Sequence, residues 1–182
     1  MKKKKILLLS DDLRMYSGVA TISRELVLNT LHHYDWVQIA GSIKHPEAGK
    51  QIDMCSAAQQ QSSVKDAYLK LYPADGYGNE DMLMSVIDIE KPDAIMIFTD
   101  PRFWGWLFQI ERKIRQTTPL TFLTIWDDLP LPQWNKPFYE SCDSLFSISK
   151  QTYNITKWVL RPENCRTIYG EFDKDGNLIK DV

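Results

Sequence analysis

Short uninterrupted apolar runs recur along the chain at Ile6–Leu9, Val37–Ala40, Ala94–Phe98, Leu120–Ile125 and Ser144–Ile148, each bounded by polar or turn residues. Runs of this length with no polar alternation predict strands buried on both faces. Between them the apolar residues take up helical spacing. Val19, Ile22 and Leu26 follow the first run, and Met82, Val86 and Ile89 precede the third. "WGWLFQIERKIRQ" leads into the fourth, and "KQTYNITKWVL" leaves the fifth. Strands that alternate with helices and show no polar face predict a parallel sheet covered on both sides. The expected fold class is therefore α/β, a Rossmann-like three-layer α/β/α sandwich with a mainly parallel sheet, in one domain over residues 1–182.

One stretch breaks the alternation. Gly41–Asn79 is a long polar connection, with short strands expected only near Gln51–Cys55 and Tyr68–Leu71. A connection of that length is usually functional or an elaborated edge of the sheet.

Composition narrows the picture. The chain has 182 residues, 43% of them hydrophobic, enough for one domain with a real core. A net charge of −2 gives no bulk attraction to nucleic acid. The only basic run, Lys2 to Lys5, precedes an apolar stretch that ends at Leu9 and meets two carboxylates, too short for an export or membrane segment. Cys55, Cys142 and Cys165 are odd in number and scattered, so free thiols and a cytoplasmic location are expected.

In parallel α/β sheets ligands lie outside the carboxyl ends of the strands. The segments predicted there read "SDDLRMYSG", "TDPRFWGW", "WDDLPLPQW" and "SKQT". They hold Asp11, Asp12, Asp100, Arg102, Asp127 and Asp128, and four of the six tryptophans: Trp104, Trp106, Trp126 and Trp134. Taken singly, such aspartates cap helices and such tryptophans pack between helix and sheet. Together on one rim they suit a polyhydroxylated ligand, because rings cover C–H faces and carboxylates accept hydroxyl protons.

At the first strand end, "SDDLRMYSG" admits three readings: a phosphorylatable aspartate pocket, a metal site, or a glycine turn that lets a ligand approach the backbone. Asp11–Asp12, Asp100 and Lys150 stand in the order of a response-regulator receiver domain. The long Gly41–Asn79 insertion and the proline directly after Asp100 argue against it. For metals, His32 and His33 are adjacent and point to different helix faces, and no Cys/His spacing suits zinc. Asp173–Ile179 has calcium-loop residue types with its glycine too early, and a hairpin turn at Asp175-Gly176 explains it better. No Walker loop, dinucleotide glycine fingerprint or nucleophile elbow is present, so no metal or cofactor is expected.

The series of segments resembles the N-terminal, acceptor-side lobe of retaining GT-B glycosyltransferases of the group 1/family 4 kind. The matching pieces are "KILLLSDD...YSGVATISRELVLNTL", "GYGNEDMLMSVIDIEKPDAIMIFTDP", "PLTFLTIWDDLPLP", "FYESCDSLFSISKQT" and "NCRTIYGEFD". The resemblance implies transfer of a sugar from a nucleotide-diphosphate donor to a hydroxyl acceptor. It gives Ser17 and Gly18 the approach to the donor diphosphate, with Gly18 as a packing glycine the competing account. It leaves Asp11, Asp12, Asp100, Arg102, Trp104, Trp126 and Asp128 as acceptor or sugar contacts. Where the family often carries a His-Asp pair, this chain reads Trp126-Asp127-Asp128, so Asp127 is a catalytic candidate by position alone. The resemblance also implies a donor-binding C-terminal lobe, in cis or in trans, without which transfer would be incomplete. The alternative is a non-catalytic Rossmann-like binding or regulatory module, including a degenerate receiver.

Overall fold

In the computed structural model, residues 2–42 and 44–161 are described in full, together with the backbone of 166–167, 170–172 and 178–180. The five predicted strands all form: β1 (Lys4–Asp11), β2 (Tyr34–Gly41), β5 (Ala94–Phe98), β6 (Leu120–Thr124) and β7 (Ser144–Ser147). The two short strands expected in the polar connection form as well, β3 (Ile52–Asp53) and β4 (Leu69–Pro73), with an unforeseen helix, α2 (Cys55–Ser62), between them. Of α2 only Ala58 is buried, which is why its sequence carries so little helical signal.

The sheet order is β3-β4-β2-β1-β5-β6-β7. All neighbours pair in parallel except β3, which runs antiparallel along the β4 edge. Leaving that edge strand aside, the chain order of the six parallel strands is 3-2-1-4-5-6, the doubly wound dinucleotide-fold arrangement. A receiver domain has the five-strand order 2-1-3-4-5. Here a parallel strand lies beyond β2, so the receiver reading does not hold.

Helices cover both faces. Leu8, Trp36, Leu71 and Phe98 pack with Val27 of α1 (Gly18–Thr30) and Ala58 of α2. On the other face Leu7, Leu9, Ile39, Ile97 and Phe122 pack against α3 (Glu80–Glu90), α4 (Gly105–Gln109), α5 (Glu111–Arg115), α6 (Lys136–Glu140) and α7 (Lys150–Leu160). Leu7, Leu8 and Leu9 are all fully buried, so adjacent residues serve opposite cores, each worth about 1.5–3 kcal/mol. The predicted helix through "WGWLFQIERKIRQ" breaks at Ile110 into α4 and α5. Ser17, Asn79 and Ser149 cap α1, α3 and α7 by accepting from the third backbone N–H beyond them, a contribution of about 1 kcal/mol each.

Beyond α7 a small antiparallel sheet joins β8 (Arg166–Thr167), β9 (Gly170–Phe172) and β10 (Leu178–Lys180). The expected turn at Asp175-Gly176 lies between β9 and β10, outside the described residues, as does Cys165. Among the described residues no helix is long and apolar enough to cross a membrane.

Candidate functional site

Strand order reverses between β1 and β5, where one connection leaves for each side of the sheet. That switch point opens a crevice at the carboxyl ends of the strands. It is built upward from a buried polar knot. Gln38 of β2 donates to Ser10 Oγ and to the Asp11 carbonyl, both at 2.7 Å, and accepts from the Leu13 N–H at 3.1 Å. These bonds fix the exit of β1 before the turn to α1 begins.

Above the knot the two aspartates part company. Asp11 accepts from Ser17 Oγ at 2.8 Å and from the Tyr77 hydroxyl at 3.1 Å. Tyr77 is held by a parallel stack on Phe103, centroids 4.7 Å apart, and by the edge of Trp104. Gly41 makes room for it: an added Cβ would come within 2.8 Å of the Gly76 carbonyl and 2.9 Å of the Tyr77 ring. Asp12 is 1% exposed and turned away from the crevice contacts of Asp11, receiving Arg14 at Oδ1 and Oδ2. Burial alone would raise its pKa, but the Arg14 hydrogen bonds and charge hold it below the usual carboxylate range. Asp12 is thus an internal brace of the turn rather than the rim residue the sequence suggested.

Ser17 is committed twice, donating to Asp11 and capping the Ala20 N–H at 3.0 Å. The Gly18 and Val19 N–H groups are left without a partner among the described residues. A Cβ at Gly18 would meet nothing within 4 Å, so close packing does not explain this glycine. The helix end is open, as anion approach requires.

Across the switch point, Asp100 caps a turn of 3-10 helix (Pro101–Trp104) and binds Arg102 through its backbone N–H and guanidinium. Burial pushes its pKa up, but Arg102 outweighs this and keeps it ionised. Trp104 is 0% exposed and belongs to the core, so the expected sugar contact at this position gives way to a buttress behind Tyr77. Trp126 is half-buried, donates from Nε1 to the Asp128 carbonyl, and meets Trp134 edge-on at 5.5 Å. Asp127 and Asp128 are exposed.

Between the ends of β5 and β6 lies a cavity of about 190 Å³. Phe122, Ile125 and Pro101 form its apolar lining; Thr99, Asp100, Asp127, Asn135 and Tyr139 are its polar groups, with Trp126 at one wall. Asn135 is 1% exposed, and its Nδ2 donates to the Tyr139 hydroxyl over a long 3.3 Å, while Oδ1 has no partner. Burial, reinforced by the Asp100 charge, pushes the Tyr139 phenol up, so it is protonated at neutral pH.

Asp100, Trp126 and Asp127 are therefore gathered around one cavity, and Asp11, Ser17 and Gly18 around the neighbouring turn. Gln38, Tyr77, Asn135 and Tyr139 carry no signal of their own in the sequence; a lone asparagine between Trp134 and Pro137 reads as a loop residue. Among the described residues no group of three metal-ligating side chains converges. No protein-family model matches the chain, and neither a curated protein nor a solved structure matches it.

Proposed function

We propose that this chain is the acceptor-side lobe of a glycosyltransferase, moving a sugar from a nucleotide-diphosphate donor to a hydroxyl acceptor. The observation that carries the reading is the pairing at one switch point: the open N–H groups of Gly18 and Val19 stand on one side, and an aromatic and acidic cavity on the other. The first suits a diphosphate, the second a polyol. Asp127, exposed and lining the cavity, is on this reading the carboxylate that takes the hydroxyl proton. The Asp11 carboxylate near the same helix end already complements its dipole, so donor affinity of this lobe alone is weak and a second lobe supplies most of it.

Uridine diphosphate titrated into the full chain and followed by NMR tests the reading. The Gly18 and Val19 amides are expected to shift saturably, with a Kd of about a millimolar or weaker. Because nothing crowds a Cβ at Gly18, Gly18→Val should keep the wild-type melting temperature and lose the response. An equal response in Gly18→Val, or none at those amides, overturns the proposal.

A further inference from the structure

We infer that the cavity between the ends of β5 and β6 holds one uncharged, hydroxyl-bearing ring, anchored on the buried amide of Asn135. Asn135 is as buried as the core, yet Oδ1 has no protein partner. Buried polar atoms without partners are rare and expensive, so such an atom lining a cavity points to a group from outside the chain. Which amide atom is oxygen does not alter the conclusion: a hydroxyl both donates and accepts, and satisfies either end.

Size and charge select the rest of the ligand. One water would meet Oδ1, but about 190 Å³ is roughly six waters' share of liquid volume. That space fits a single pyranose-sized ring. The lining offers no cation, since Arg102, the nearest one in sequence, is bound to Asp100. Phosphate and carboxylate groups are thereby disfavoured. A free amine would gain little from Asp100, whose charge Arg102 already balances; it could pair only with the exposed, solvent-screened Asp127 at the mouth, while at the inner end it would meet the neutral amide and phenol of Asn135 and Tyr139. Trp126 supplies the aromatic wall that covers ring C–H groups, and Asp127 accepts a hydroxyl proton on the exposed side. The ring's identity as part of the acceptor rests on the glycosyltransferase reading; its fit to the cavity does not.

Saturation-transfer NMR on the full chain with the methyl glycosides of glucose, galactose, mannose and N-acetylglucosamine tests this, with ethanolamine and inorganic phosphate as charged controls. At least one glycoside is expected to bind with a Kd in the millimolar range, and more tightly than either control. Asn135→Leu should weaken it by about tenfold or more, and the exposed variant Asp127→Ala by a few-fold, each leaving the Gly18 and Val19 response to uridine diphosphate unchanged. No glycoside bound up to about 50 mM, tighter binding of a control, or wild-type affinity in Asn135→Leu overturns the inference. If Asn135→Leu does not fold, wild-type affinity in Asp127→Ala does so. Silent glycosides with an intact nucleotide response remove the cavity's ligand and spare the lobe reading; glycoside binding without a nucleotide response does the reverse.

Discussion

Glu90 and Asn135 are buried to almost the same degree, and they have opposite surroundings. The Glu90 side chain, at the end of α3, is 2% exposed and receives Lys5 Nζ at 2.8 Å, the Tyr68 and Tyr72 hydroxyls at 2.8 and 2.6 Å, and Gln51 Nε2 at 3.2 Å. Lys5 in turn lies 4.4 Å from the Tyr68 ring centroid. Burial alone would raise the Glu90 pKa, yet these donors bring it from 4.5 down to about 2, while Tyr68 is pushed up to about 12. Asn135 keeps one long hydrogen bond and an unmet oxygen beside a cavity. Burial therefore does not separate a structural polar group from a functional one, and neither does a missing partner alone, since Trp104 Nε1 in the core lacks one too; what sets Asn135 apart is an unmet oxygen that lines a cavity. The Glu90 cluster closes on itself and ties α3 to β1 and β4, whereas the Asn135 site is complete only with something added.

The contrast breaks most sharply under deletion. Glu90→Ala leaves Lys5 and two phenols facing a buried gap, and is expected to destabilise the fold by about 3–5 kcal/mol in urea unfolding. A loss below about 1 kcal/mol would put Glu90 with ordinary surface ion pairs.

Acid sharpens it next. The folded pKa of Glu90 lies below its unfolded value, so its contribution is complete above the unfolded pKa and is lost as pH falls toward about 2. That contribution is on the order of 3 kcal/mol, with about 2 kcal/mol gone by pH 3. Unfolding measured at pH 7 and pH 3 should show this drop in the wild type and a smaller one in Glu90→Gln. Equal acid sensitivity in both proteins would assign the drop to other carboxylates.

The smallest expected effect is at the cavity. Replacing both partners, Asn135→Leu with Tyr139→Phe, removes the unmet oxygen together with the Nδ2 hydrogen bond to Tyr139, so stability should stay within about 1 kcal/mol of wild type. A loss of several kcal/mol would mean that Asn135 is a structural post like Glu90, and would erase the distinction.

The layered α/β fold and the crevice-forming rim were legible because they depend on short-range pattern. Fully apolar runs such as Ile6–Leu9 have nowhere to go except a sheet covered on both faces, and the segments that follow them then emerge at one end of the sheet, although Asp12 and Trp104 turn inward there. α2 was hidden in a polar connection, since it buries only Ala58; the short strand near Tyr68–Leu71 was legible there, but its place as β4 beside β2 was set by pairing across the chain. The separation of Asp11 from Asp12 was beyond sequence reasoning as well: adjacent carboxylates look alike until distant Gln38 fixes the Asp11 carbonyl and distant Tyr77 its carboxylate, leaving Asp12 to its near neighbour Arg14. Trp104 and Trp126 likewise share a composition signal and differ only in what packs over them.

The amino-acid order by itself determined the period of the five apolar strands and of helices α1, α3 and α7, and the gathering of acids and aromatics at strand ends, because these follow from local sterics and from which side chains leave water. Only the tertiary structure decided the strand order with its reversal between β1 and β5, and which buried polar groups find partners. Both depend on residues far apart in the chain. Glu90 meets Lys5 across 85 positions, whereas the Asn135 amide keeps an unmet oxygen beside a cavity shared with Thr99 and Asp100. A hydrogen bond requires its two atoms to stand about 3 Å apart, and no local pattern of residues encodes that distance.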